Sequence, residues 1–153
     1  MIREEEDGLW NDLDETIAFH HDDVFAALTT ADGLRSWFPI DAKIDLRRGG
    51  QIVFCWDKNC TKTSTVSILD YDAGGRIVWD WYADHTNKHA PVYWNVLPSR
   101  EKGAIVKLHQ GPFTDDRDSL IAMATESSFW QWHMCNLRSV MESRHDMRMH
   151  RPL

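Results

Sequence analysis

Trp130-Gln-Trp132-His-Met-Cys-Asn-Leu137-Arg-Ser-Val-Met141-Glu142 is the stretch on which the fold turns. Within it Trp130, His133, Met134, Leu137 and Met141 recur at three- and four-residue steps, the spacing that lines one face of an α-helix. The pattern predicts a helix from near Thr125 to near His145, preceded by a helical turn at 118–124. Its end is basic (Arg144, His145, Arg148), which complements the negative end of the helix dipole.

Upstream of Gly111-Pro112 the period is two. Ile40, Ala42, Ile44 and Leu46 alternate with polar residues, and Ile52, Phe54 and Trp56 share one face of a further strand. Thr61 to Tyr71 is rich in β-branched residues. Ile77, Trp79 and Trp81 share a face, which turns Asp80 to solvent, and Val92, Trp94 and Val96 share another. Ala104 to His109 reads as the last strand. Gly49-Gly50 and Gly74-Gly75 supply tight turns, so neighbouring strands run antiparallel. Trp10 to Phe19 also alternates. Between it and the sheet, short helices are predicted at Val24–Leu28, after a cap at Asp22 or a neighbour, and at Thr30–Phe38, stopped by Pro39.

The expected architecture is therefore α+β: a curved antiparallel sheet of about six or seven strands wrapped around a long C-terminal helix, with two short helices after the first strand. A sheet with one apolar face must cover it, and the last helix alone is long enough. Space is expected between sheet and helix near the short helices. Residues 1–153 read as one domain, with 1–8 frayed and 146–153 a flexible tail.

In this order, Leu28-Thr-Thr-Ala-Asp-Gly-Leu34-Arg-Ser-Trp37-Phe38, Asp45-Leu-Arg-Arg-Gly49-Gly50 and the 130–142 stretch resemble the helix-grip superfamily of START, polyketide cyclase and birch-pollen-allergen-like domains. Within it the likeness is greatest to the activator of heat-shock-protein-90 ATPase homologues, over about residues 10–145. One departure is Ser127-Ser128-Phe129 before Trp130, where that family often carries Gly. The resemblance implies the helix-grip fold. It leaves function open among a ligand carrier, a chaperone activator and a cyclase- or isomerase-like enzyme, because one fold hosts many functions. The chain reads as the helix-grip domain alone, without the additional N-terminal chaperone-binding domain of eukaryotic activators, which weighs against the chaperone role.

Composition narrows the classes. The 153 residues carry 17 Lys+Arg and 24 Asp+Glu, a net charge of −7, so nucleic acid is not an expected partner. No apolar run reaches the roughly 18 residues of a membrane span, and the acidic start is not a signal peptide. Three free cysteines without C-x-x-C spacing fit a reducing cytoplasm. The eight Trp against six Phe and three Tyr are unusual. They suggest an aromatic-walled pocket for a small apolar or aromatic ligand, bounded by Trp37, Phe54, Trp56, Trp79, Trp81, Trp94, His109, Trp130, His133 and Met134, with the two His as polar hooks. Core packing is the competing reading for each ring.

No cofactor is implied. Adjacent ligand types in His20-His21-Asp22-Asp23 seldom converge on one ion, and His85 and His89 lack the glutamate of a helical zinc pair, so no metal is expected. No nucleophile or catalytic residue stands out. The chain is thus read first as a ligand-binding domain, monomeric or a homodimer, with a chaperone as the alternative partner and a cyclase- or isomerase-like enzyme using the same pocket as the second alternative.

Overall fold

The computed structural model describes residues 1–83 and 87–149. Strands β1 (Ile2–Glu5) and β2 (Gly8–Ile17) are followed by helices α1 (His21–Thr29) and α2 (Ala31–Trp37). Then come β3 (Asp41–Ile44), β4 (Gln51–Cys55), β5 (Thr63–Asp72), β6 (Arg76–Trp79), β7 (Tyr82–Ala83), β8 (Lys88–His89), β9 (Val92–Pro98) and β10 (Ala104–Phe113), and finally α3 (Arg117–Ser143). One antiparallel sheet of eight strands runs in the order β1-β2-β10-β9-β6-β5-β4-β3, and β7 and β8 form a separate ribbon. The sheet is thus larger than the six or seven strands expected. Part of the difference is the N-terminus: residues 2–5 do not fray but pair with β2, Arg3 opposite Trp10.

Period-two alternation builds the inner face. Leu13, Leu108, Trp94 and Ile77 stand in one row across β2, β10, β9 and β6, and all are buried. Against this face lies α3, a single 27-residue helix. The separate turn foreseen at 118–124 is its first part. Its N-cap is Asp116, whose carboxylate accepts from the Ser119 N–H at 2.9 Å, satisfying a donor that the helix leaves unpaired. The buried stripe runs Ser119, Ala122, Met123, Glu126, Trp130, His133, Met134 and Leu137.

Helices α1 and α2 close one side of the grip. The α1 cap is His20, whose Nδ1 accepts from the Asp22 N–H at 3.2 Å. Thr30 caps α2 through the Gly33 N–H at 2.9 Å. Gly33 is where the helices meet most closely, since a Cβ there would lie 2.3 Å from the Ala26 carbonyl oxygen. That approach lets the Trp37 indole N–H donate to the Ala27 carbonyl at 2.8 Å. The space expected beside the short helices is filled by Trp37 and Phe38, both fully buried.

Of the flexible tail foreseen at 146–153, residues 146–149 are docked, and 150–153 lie outside the described residues. Asn136 in α3 donates to the Trp37 carbonyl at 2.9 Å and accepts from the Met147 N–H at 2.7 Å. Arg148 donates to the carbonyls of Arg35, Phe38 and Pro39 at 2.8, 3.1 and 2.7 Å, and its guanidinium pairs with Asp146. This clasp ties the end of α2 to α3.

Candidate functional site

The centre of the grip is solid. Trp37, Trp79, Trp94, Trp130, Phe38 and Phe54 are fully buried. Their rings meet edge-to-face or tilted, with centroids 5.4 Å apart for Trp79–Trp94, 5.6 Å for Trp94–Trp130 and 5.4 Å for Phe38–Trp130, the geometry that aromatic quadrupoles favour. Trp37, Phe54, Trp79, Trp94, Trp130 and Met134, all foreseen as cavity walls, therefore fill this space and line neither cavity described below. Trp79, Trp94 and Trp130 leave their indole N–H groups without a hydrogen-bond partner, so contact area rather than polar pairing holds them.

Phe38, which the sequence reading did not single out, is the hub. Its ring lies 5.2 Å from Trp56, 5.9 Å from Phe129 and 4.9 Å from His133. The position directly after the Trp that ends α2 was the available signal, but helix periodicity stops there.

Of the two histidines foreseen, His109 sits elsewhere. His109 is on the opposite face of the sheet, stacked 4.0 Å from Trp10 and 3.6 and 3.8 Å from the carboxylates of Glu5 and Asp12. The reason is the two-residue period: Ala104, Val106 and Leu108 point inward, so His109 points out. His133 is buried beside the clasp and borders the second hollow described below. Its Nδ1 has no hydrogen-bond partner, and burial together with the nearby Arg148 charge lowers its pKa to about 4. It is a neutral structural imidazole at pH 7.

The grip opens at one end, and there a cavity of about 510 Å³ remains. The reason lies in β6. It stops at Trp79, and the Trp81 N–H turns back to the Trp79 carbonyl at 2.9 Å, so Trp81 leaves the strand and the sheet is not closed over it. Asp80, foreseen in solvent, is partly covered and pairs with His89; His85 lies outside the described residues. Trp81, Trp56 just past β4, Ser64 of β5, and Thr125, Glu126 and Phe129 of α3 line it. Asp57, Lys62 and Tyr82 stand at the mouth.

Both indole donors of the cavity are engaged. Trp81 Nε1 donates to Glu126 Oε1 at 3.2 Å and Trp56 Nε1 to the Ser64 hydroxyl oxygen at 2.8 Å. The carboxyl of Asp57 is held below its usual range, chiefly by the Thr61 hydroxyl and then by the Lys62 N–H. Glu126 is 2% exposed. Glu126 and Phe129 escaped the sequence reading, although Glu126 lies one turn before Trp130 on the apolar stripe, and an acidic residue on such a stripe is itself a signal.

A second hollow, about 870 Å³, lies between α3 and the start of the chain, bounded by Met1, Leu13, Trp132, His133 and Met147 among others. It is the more open of the two. His20, His21 and Asp22 bring ligand-type atoms within 4.8 Å of one another on the surface, where the capping role of His20 explains their closeness.

A long helix held in a curved antiparallel sheet, with two short helices after the second strand, defines a helix-grip protein. The chain belongs to the activator of Hsp90 ATPase homolog 1-like protein family, which it matches over residues 18–142. Solved structures agree on the fold. The Aha1 dimer from Colwellia psychrerythraea is 16% identical, with a TM-score of 0.71 and 88% of this chain and 96% of that one covered. Protein SSP2350 from Staphylococcus saprophyticus is 15% identical, with a TM-score of 0.73 over 90% and 96% of the chains. CalU16 from Micromonospora echinospora is 16% identical, with a TM-score of 0.70 over 94% and 83%. No curated protein matches the sequence. Among the described residues no helix is long and apolar enough to cross a membrane.

Proposed function

We propose that this chain is a cytoplasmic small-molecule binding domain that holds an apolar or aromatic ligand at the open end of its grip. One observation carries the reading. The aromatic rings close on themselves everywhere in the centre, yet at this end Trp56, Trp81 and Phe129 surround about 510 Å³ of empty space. That is within the roughly 300–1,000 Å³ of ordinary ligand pockets. Among the described residues that line it, no pair of titratable groups forms a nucleophile–base couple, which favours binding over catalysis.

Native mass spectrometry of freshly purified protein is the test, with Trp fluorescence titration by a panel of aromatic compounds. Retention of a small molecule, or saturable quenching abolished by Phe129→Ala, is the expected result. No retained molecule and no response from any compound would sink the reading. Family membership favours a second reading, a chaperone-ATPase activator. It predicts stimulated ATP hydrolysis by a heat-shock chaperone that survives Phe129→Ala.

A further inference from the structure

Two of the three cysteines meet at the β4–β5 hairpin. In β4 the inward residues are Ile52 and Phe54, so Cys55 points to the outer face of the sheet. An outward side chain at the end of a strand is ordinarily wet, yet Cys55 is 4% exposed. The chain after it folds back. The Trp56 N–H donates to the Lys62 carbonyl at 2.9 Å, which closes residues 57–61 into a tight loop, and within it the Cys60 N–H donates to the Asp57 carbonyl at 3.0 Å. The Asp57 carboxylate accepts from the Thr61 hydroxyl and, at 3.0 Å, from the Lys62 N–H, so the loop is tied on both sides of Cys60. Cys60 itself takes a left-handed backbone, φ 53°, and its thiol hydrogen-bonds with that of Cys55. That contact, ahead of burial, pushes the Cys55 pKa up to about 11.

The two thiols differ in access: Cys60 is exposed and Cys55 buried. At neutral pH Cys55 is held protonated and shielded, so an oxidant meets Cys60 first. We infer that Cys55 and Cys60 form a reversible redox pair, which a peroxide closes into a disulfide across the loop. The Cys60 thiol gives up its proton and its sulfur attacks one peroxide oxygen. The O–O bond breaks, water leaves, and Cys60 becomes a sulfenic acid. The Cys55 sulfur then displaces the sulfenic hydroxyl, which departs as water with the Cys55 proton as the S–S bond forms. Two thiols thereby lose two electrons and two protons, and one hydrogen peroxide becomes two waters. Cys135 takes no part; on α3 it accepts from the Gln131 side-chain amide at 3.6 Å. The pairing does not depend on whether the neighbouring cavity binds a ligand.

Hydrogen peroxide added to the reduced full chain at pH 7 is the probe, read by intact mass and by peptide maps without reductant. The expected product is lighter by about 2 Da, links Cys55 to Cys60 within one chain, and regains its starting mass with dithiothreitol. Cys135→Ser is expected to react in the same way. Cys60→Ser, at an exposed turn position, is expected to abolish the loss. A gain of about 16 or 32 Da at Cys60 without loss of two hydrogens overturns the pairing. So does a link that includes Cys135 or a second chain, or a mass loss that persists in Cys60→Ser. A wild-type chain left unchanged by peroxide that fully oxidises free glutathione overturns it as well.

Discussion

The centre of the grip and its open end are made of the same residue types and behave differently. In the centre Trp79, Trp94 and Trp130 face rings on every side and are fully buried. At the open end Trp56 packs on Phe38 and Phe54, and Trp81 on Phe38, Phe54, Trp79, Phe129 and Trp130, yet both stay partly exposed and border the cavity. The difference comes from where the strands end. In the centre β6 and β9 continue the sheet over the rings; past Trp79 the backbone turns away. An excess of tryptophan thus has no single meaning. It fills where the sheet is continuous and lines where the sheet stops.

The sharpest way to break the comparison is to truncate one ring in each region. Trp130→Ala removes a ring enclosed by Trp79, Trp81, Trp94 and Phe38, and is expected to cost about 3–5 kcal/mol in urea denaturation. Trp56→Ala removes a half-buried ring and is expected to cost about 1–2 kcal/mol, since part of its surface is already in water. Equal losses would mean that the open end is as tightly packed as the centre.

Acid distinguishes the regions next. His133 adjoins the aromatic centre, and its pKa falls from 6.5 to about 4 on folding. Its lowered value means that the unfolded chain takes up a proton first. Stability is complete above pH 6.5 and is lost as pH falls from about 6.5 to about 4. The loss is about 3 kcal/mol over that window. His133→Phe, which keeps a ring against Phe38 and Phe129, is expected to flatten this part of the stability–pH curve. An unchanged curve would place the acid sensitivity elsewhere.

A subtler contrast lies within the centre. Trp37 and Trp94 are equally buried, but only Trp37 has a partner for its N–H, the Ala27 carbonyl. Replacing each by Phe removes the same volume. Trp37→Phe also orphans a buried acceptor, while Trp94→Phe removes a donor that was already unpaired. Trp37→Phe is therefore expected to be the more damaging by about 1–2 kcal/mol in chemical denaturation.

Most of the architecture was legible in the periods. Alternation in Ile77–Trp79 and Val92–Val96 marked strands, and the 130–141 spacing marked the helix, because burying one face imposes these repeats. The ends were less legible. Of residues 2–5 only Ile2 is apolar and the other three are charged, and their strand exists because β2 offers an edge. Residues 146–149 dock through Asn136 and Arg148, contacts between parts of the chain that no local pattern connects. The candidate site was legible only in its residue class. Trp56 and Trp81 lie on its wall, but the sequence could not distinguish them from Trp79, one alternation away, because the distinction depends on where β6 ends. His109 is the converse case: the alternation in Ala104–Leu108 already turned it outward.

The smallest expected stability effect is at the rim of the open end, and it separates structure from binding most cleanly. Tyr82 begins the β7–β8 ribbon, is 55% exposed and borders the cavity. Its ring packs mainly against His89, at 5.0 Å, so Tyr82→Ala is expected to change the unfolding free energy by no more than about 0.5 kcal/mol. If the cavity binds a flat aromatic compound, loss of this ring should weaken the binding of 2-naphthylmethanol about three- to tenfold. Arg76→Ala, on the exposed part of the neighbouring strand and paired with Asp70 at 3.6 Å, is the matched control and should leave both measurements unchanged. A Tyr82 variant with full affinity would confine the ligand to the deeper walls of Trp56, Trp81 and Phe129. One that unfolds would mean that the ribbon supports the grip rather than its opening.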